Sequence, residues 1–236
     1  MPEQTRSTGP TPPRYRACLI DALGTTVELI PPWERIDPGL VAGLPAEQVR
    51  EAFVAEMTYY GSHAHEASDS HRLLALRGQC AELLSAGLGR PVTVEQLMAS
   101  IAFVAYPDAA PALAELRQMG MRVVCVSNWD CELPDVLERV GLAGSFDGVV
   151  ASAVAGARKP DPAIFERALE VAGCSAAEAI HTGDSPEDVE GAGAAGIDVV
   201  RIDRGGGGGG ISSLAELPAI VRAGPPKADI VQDQDR

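Results

Sequence analysis

Four short polar clusters stand out where apolar runs end. Asp21 closes Ala17-Cys-Leu-Ile and is followed by Ala22-Leu23-Gly24-Thr25-Thr26. Ser127-Asn128 closes Arg122-Val-Val-Cys-Val, and Arg158-Lys159-Pro160 follows Gly148-Val-Val-Ala-Ser152. Gly183-Asp184-Ser185 closes Ala179-Ile-His-Thr182, with Asp188 one helical turn further on. Together they offer two or three carboxylates, a hydroxyl, an amide and an ammonium. An aspartate can attack covalently, converging carboxylates can hold a hard cation, and a hydroxyl with an ammonium can clamp an anion. Each cluster alone has a plainer explanation. Asp21 could cap a turn, Ser127-Asn128 could be a turn, and Asp184 or Ser185 could cap a helix starting at Pro186, with Asp188 favoured by the helix dipole. Their joint placement at successive run ends favours the chemical reading.

Lys159 has further support within the chain. The sequence holds 17 arginines and two lysines, Lys159 and Lys227, the latter near the C-terminal end. A compact ammonium fits between a carboxylate and a phosphoryl oxygen where a planar guanidinium does not. Thr25, Asn128 and Trp129 lie on the same rim and are the candidate substrate contacts; Trp129 could equally pack against neighbouring structure. His63, His65 and His71 read as a solvated helix face, and His181, inside an apolar run, as a satisfied core residue. Cys131 has no basic neighbour in sequence to activate it.

The elements that must position these residues alternate. Short continuous apolar runs at 17–21, 122–127, 148–152, 179–182 and 197–202 predict strands buried on both faces of a parallel sheet. Helical stretches at 108–119, 132–140, 162–172, 186–195 and 213–222 separate them, and Gly120, Gly141, Gly173 and Gly196 sit where helix ends need a left-handed residue. This predicts an α/β fold: a doubly wound, Rossmann-like parallel sheet of five strands. In such sheets ligands bind beyond the carboxyl ends of the strands, where the four clusters fall. The stretch 28–105 breaks the alternation. It lacks strand runs and is helical at 46–60, 70–86 and 94–103, so it predicts an all-helical subdomain inserted after the first strand. The core is then 15–27 and 106–223. The ends, 1–14 and 224–236, are polar and Pro-, Asp- and Gln-rich and read as disordered tails. Gly205–Gly210 reads as a flexible loop with no Lys-Ser/Thr signature of a phosphate cradle.

Composition narrows the partners. A net charge of −14 over 236 residues disfavours nucleic acid and anionic membranes, and leaves a small anionic substrate only a locally positive pocket. Cys18, Cys80, Cys125, Cys131 and Cys174 show no metal-ligand spacing, and no stretch has the length or apolarity of a signal or membrane span. The expected location is cytoplasmic. No motif sets an oligomeric state.

Asp21-Ala-Leu-Gly-Thr25, Val126-Ser-Asn128, Arg158-Lys-Pro160 and Gly183-Asp-Ser-Pro-Glu-Asp188 resemble, in order, the four motifs of the haloacid dehalogenase-like hydrolases, and the insertion resembles that family's helical cap. The resemblance spans about 15–222. It implies that Asp21 attacks the substrate to form an aspartyl intermediate and that Ser127 and Lys159 bind the transferring group. It also implies a Mg²⁺ set made of Asp21, the backbone carbonyl of Leu23, Asp184 and, in support, Asp188. One position departs from the pattern. Family phosphatases carry a general-acid aspartate two residues after the nucleophile, and here that residue is Leu23. Three functions follow. The first is a Mg²⁺-dependent phosphohydrolase with a good leaving group, a cap-supplied acid or a slow reaction. The second is a carbon–halogen hydrolase, which needs no acid, although that branch lacks the carboxylate at Asp184 and has an aromatic hydroxyl where Phe165 stands. The third is a binding or regulatory protein that keeps the fold. Specificity is expected from residues such as Trp33, Arg35, Tyr59 and Trp129.

Overall fold

The computed structural model describes residues 14–224; the two expected tails, 1–14 and 224–236, lie outside it except for Arg14 and Gly224. The strand β1 (Ala17–Ile20) is buried along its whole length, as its unbroken apolar sequence requires. It leaves through a tight turn on the Ala22 carbonyl, which accepts from the amides of Thr25, Thr26 and Val27 at 2.8–3.2 Å. Gly24 takes a left-handed φ of +78° in that turn.

The chain then enters the insertion through β2 (Val27–Ile30), passes α1 (Pro38–Val41), α2 (Ala46–His63), α3 (Ser70–Leu88) and α4 (Val94–Ser100), and returns along β3 (Ala102–Ala105). Asp69 caps α3 and a Thr93–Gln96 capping box opens α4. The two long helices close on a core of their own, with Phe53, Leu73, Leu84 and Leu88 fully buried. The expectation of an insertion without strands needs correction. β2 and β3 pair antiparallel, Val27 opposite Ala105 and Ile30 opposite Ala102, and form a ribbon at the insertion's neck. A four-residue apolar run such as 102–105 reads equally as the end of a helix, and its partner lies some seventy residues away, so no local pattern marks the pair.

The rest alternates as expected: α5 (Ala109–Gln118), β4 (Arg122–Ser127), α6 (Leu133–Arg139), β5 (Gly148–Ala151), α7 (Ser152–Ala155), α8 (Pro162–Ala172), β6 (Ala179–Gly183), α9 (Pro186–Ala194), β7 (Asp198–Arg201) and α10 (Leu217–Ala223). The four expected helix-end glycines all have positive φ. The sheet is parallel throughout in the order β5-β4-β1-β6-β7. Leu113 and Leu116 of α5, Leu133 of α6 and Leu217 of α10 cover one face; Ile164, Phe165 and Ala168 of α8 with Ala192 of α9 cover the other. Strand order reverses at β1, and the crevice beyond its carboxyl end is therefore flanked by the ends of β4 and β6. No described helix is long and apolar enough to cross a membrane.

The glycine run is held by its own chain. The amides of Gly205, Gly206, Gly207 and Gly208 donate to the Asp203 carboxylate at 2.5–3.1 Å. This nest already holds an anion, and those bonds keep Asp203 below the usual carboxylate range. Next to it, Arg204 binds Asp108 bidentately at 3.0 and 3.2 Å, donates to the Thr25 carbonyl at 2.5 Å, and lies 3.6 Å from the centre of the Tyr106 ring. It joins the β1 turn, the segment just after the insertion and the last loop. With both partners under one-fifth exposed, the loss is below that of a fully buried pair. Arg204→Ala should lower Tm by roughly 3–10 °C, and Arg204→Lys should restore only part of that. An unchanged melting curve would mean that Asp108 is held by Ser213 and Leu214 alone.

Candidate active site

Three strand ends and one loop converge on Asp21. The Asp21 amide donates to the Thr182 carbonyl of β6 at 2.9 Å, which fixes the residue at the sheet edge. Its Oδ1 accepts from Ser127 Oγ at 2.9 Å and from Lys159 Nζ at 2.6 Å. Lys159 Nζ also donates to Asp188 Oδ1 at 2.5 Å, and the lysine is 2% exposed. Lys159 is itself placed by Asn128. That amide donates to the Lys159 carbonyl at 3.1 Å, and its Oδ1 accepts from the Lys159 N–H at 2.8 Å.

Asp184 follows β6, and Ser185 caps α9 in a capping box with Asp188. Asp188 is fully engaged: Oδ1 accepts from Lys159 and His181, and Oδ2 from the amide and hydroxyl of Ser185. Close approach of backbone to both carboxylates demands glycine. A Cβ on Gly24 would sit 2.2 Å from an Asp184 oxygen, and one on Gly183 would sit 2.2 Å from Asp188 Cγ.

Asp21, Asp184 and Asp188 each offer an oxygen within 4.8 Å of the others. Among the described residues, Asp21 Oδ2 and both side-chain oxygens of Asp184 accept no hydrogen bond, whereas Asp188 has no free oxygen facing the cluster. An all-oxygen set with unengaged oxygens on two carboxylates fits a hard divalent cation, bound by Asp21 and Asp184 and braced by Asp188.

The other expected residues fall in different places. Leu23 is 44% exposed and lines a cavity of about 720 Å³ between insertion and core, together with Asn128 and Trp129. Trp129 also packs against Phe103 of β3, with ring centres 5.0 Å apart. Thr25 is completely buried and its Oγ1 has no partner among the described residues. Trp33 stacks under Arg50, and Tyr59 bonds Gln79 and stacks on His63; neither they nor Arg35 line the cavity. His181 is buried as expected, but not as inert core. Its Nε2 lies 2.8 Å from Asp188 Oδ1, while Nδ1 has no partner among the described residues. A polar residue in an otherwise apolar strand, two positions before Gly183-Asp184, was the available signal. Glu56, Tyr60 and Arg77 of the insertion also line the cavity, and nothing in their helical surroundings marked them.

Burial and charge push the carboxylates apart. Desolvation, reinforced by Asp188 and Asp184, raises Asp21 to about 6 against the pull of Lys159. Burial also acts on Asp188, but the bonds from His181 and Lys159 outweigh it and hold it below its usual range. Burial alone would lower Lys159, yet its two carboxylates raise it, so it stays charged. The folded protein therefore holds the Asp21 proton more tightly than the unfolded chain, and ionising Asp21 removes stability as pH rises from about 4 to about 6. Asp21→Asn should then be more stable than wild type near pH 8, by up to about 3 kcal/mol, with the gain shrinking below about pH 6 and gone near pH 4. Calorimetry across that range checks this; a less stable variant near pH 8 would mean that attraction to Lys159 exceeds the cost of burial.

The model of the haloacid dehalogenase-like hydrolases matches residues 15–196. A cattle (Bos taurus) haloacid dehalogenase-like hydrolase domain-containing protein 3 is 44% identical over 90 residues, covering 38% of this chain and 36% of its own. A phosphoserine phosphatase of Thermus thermophilus is 40% identical over 102 residues, covering 42% and 41%. The chain thus spans about two-fifths of the length of these relatives. A solved dehalogenase in an intermediate complex shares the fold, with a TM-score of 0.68 over 89% of this chain and 98% of its own at 24% identity. Since the matched segment is well over half of the chain and carries all four clusters of the site, this chain belongs to the haloacid dehalogenase-like hydrolase family.

Proposed function

We propose that this protein is a Mg²⁺-dependent phosphohydrolase acting on a small phosphorylated molecule, with Asp21 as nucleophile. The observation that carries the reading is Asp21 held between Ser127 and Lys159 with the unengaged Asp184 carboxylate beside it. Three carboxylates against one ammonium leave the site net negative. A phosphoryl group would be repelled unless a further cation bound there, and an oxygen-only donor set suits Mg²⁺. Asp21, the Leu23 carbonyl and Asp184 would hold it, with Asp188 outside the coordination sphere. A cation held there would supply charge neutralisation for the transferring group.

The chain's own groups do the rest. An Asp21 oxygen attacks phosphorus as the bond to the leaving oxygen breaks, while Ser127 and Lys159 hold equatorial oxygens of the moving group. The leaving oxygen takes its proton from solvent, because Leu23 has none to give. Water then attacks the aspartyl phosphate, which releases phosphate and restores Asp21. General acid help is worth about 10²–10⁴ in rate, or roughly 3–5 kcal/mol of barrier, so its absence favours weakly basic leaving groups. Phosphatase relatives support the phosphoryl reading. Leu23 and a dehalogenase relative support a second one, haloacid hydrolysis, in which halide leaves without a proton.

Two measurements test this. Titration calorimetry should show Mg²⁺ binding to wild type and at least tenfold weaker binding to Asp184→Asn; equal binding, or none to either, removes the metal-dependent reading. Leu23→Asp should raise turnover of alkyl phosphates by about tenfold or more and change aryl phosphates far less. An active Leu23→Asp variant with an unchanged aryl-to-alkyl ratio would refute the account of Leu23. Turnover of 2-haloacids in EDTA, with none of any phosphate ester, would favour the second reading.

A further inference from the structure

The cavity that begins at Leu23, Asn128 and Trp129 continues into the insertion, and its size of about 720 Å³ is that of a site for a drug-sized ligand rather than a two- or three-carbon acid. Its walls are largely apolar, with Leu29, Leu97, Met98 and Ile101 from the insertion side, Val136 from α6 and Val140 just after it. Most polar groups along it already have partners. Tyr60 donates to Asp130 at 2.7 Å, Asp130 also accepts from the Glu132 amide at 2.7 Å, and Arg77 donates to both Glu132 oxygens at 3.3 and 2.5 Å. Arg139 stands exposed in solvent, where screening weakens its attraction.

Glu56 is different. It lies one turn before Tyr60 on α2, lines the same cavity, and is 4% exposed. Among the described residues no nitrogen or hydroxyl donates to it; its one neighbouring donor is the thiol of Cys80, a weak one. Burial raises its carboxyl above the ordinary range. A carboxyl facing a largely apolar cavity without a strong partner is incompletely solvated, and a bound ligand bringing a hydrogen-bond donor would complete its bonding.

We propose that Glu56 is a specificity-determining residue of this site. The substrate is then a phosphate monoester whose leaving group has an apolar, ring-sized body ending in a hydrogen-bond donor, an ammonium or a hydroxyl, and not in a second anion. The proposal rests on the phosphohydrolase reading for the word monoester only; the recognition of the leaving group stands on the cavity. The same chemistry argues against a leaving group ending in a carboxylate, which would meet Glu56 beneath the apolar walls.

The test uses four matched phenols on the full chain: 4-(2-aminoethyl)phenol, 4-(2-hydroxyethyl)phenol, 4-ethylphenol and 4-hydroxyphenylacetate. Their phosphate esters give kcat/KM, and the free phenols give affinities by calorimetry without any turnover. The amine or hydroxyl arm should exceed the carboxylate arm by about tenfold to a hundredfold in both measurements, the worth of one hydrogen bond to a charged group. Glu56→Gln should collapse the preference for the amine, chiefly through KM, and the exposed Glu51→Gln on the same helix should leave the ranking as it is. Glu56→Gln is expected to fold, because it replaces a buried carboxyl by a neutral isostere. If no ester is hydrolysed, the phosphohydrolase reading fails, and the free phenols still decide the present one. A carboxylate arm bound as well as the amine arm, no binding by any phenol, or a ranking untouched by Glu56→Gln would each overturn it.

Discussion

The ammonium of Lys159 is the interaction on which the site depends. It lies within 2.6 Å of Asp21 and bonds Asp188 as well, with almost no water contact. Without it, β1 and α9 would bring buried carboxylates together with nothing between them, an arrangement that costs several kcal/mol. The requirement also explains the choice of lysine where every other basic residue of Lys/Arg type among the described residues is arginine. A point charge on a thin stem can donate to two carboxylates from different elements, whereas a guanidinium would need a planar gap as wide as itself. The backbone of Lys159 is locked by Asn128, and His181 and Ser185 complete the shell of Asp188. Four elements thus position a single nitrogen.

That arrangement gives the two aspartates opposite characters, although both touch the same ammonium. Asp188 has its charge matched by hydrogen bonds on both oxygens and remains ionised. Asp21 keeps one oxygen without a partner and is raised by burial and by its carboxylate neighbours. An aspartate with a free oxygen and an incompletely compensated charge is suited to bond to an incoming centre, and one with every lone pair engaged is suited to hold others in place.

Much of this was legible in the sequence. The four clusters lay at run ends, and a parallel sheet whose order reverses at β1 brings such ends together without further information. Sequence pattern carries no mark of a contact that is non-local or of a side chain that serves another residue. Strands β2 and β3 are too short to show a period of two and find each other across the whole insertion. Asn128 sits on the rim as expected, but its amide is engaged by the backbone of Lys159, which only the fold brings near. His181 looked like core because its strand is apolar, while its role depends on Asp188 on the following helix. Glu56 could not be separated from the surface glutamates of α2, since a helical pattern gives a face and not the identity of what covers it.

Leu23 and the cavity point the same way. The position where the family's phosphatases carry a proton donor here carries an exposed leucine, and the space beyond it is lined by leucine, methionine, isoleucine, phenylalanine and tryptophan. At 44% exposure the position leaves water within reach, so burial does not force the leucine; it extends the cavity's apolar lining toward the strand ends. In the proposed phosphohydrolase reaction the lack of an acid would fall hardest on alkoxides and least on phenolates, whose oxygen is already a weak base. A ring-sized apolar leaving group therefore answers both features: its body fills the walls, and its oxygen departs without a proton. The latch between insertion and core, Tyr60 on Asp130 and Arg77 on Glu132, closes over that space with its charges already paired. What a ligand would meet there is the buried carboxyl of Glu56, in a largely apolar cavity that reaches Leu23 and Asn128 at the strand ends.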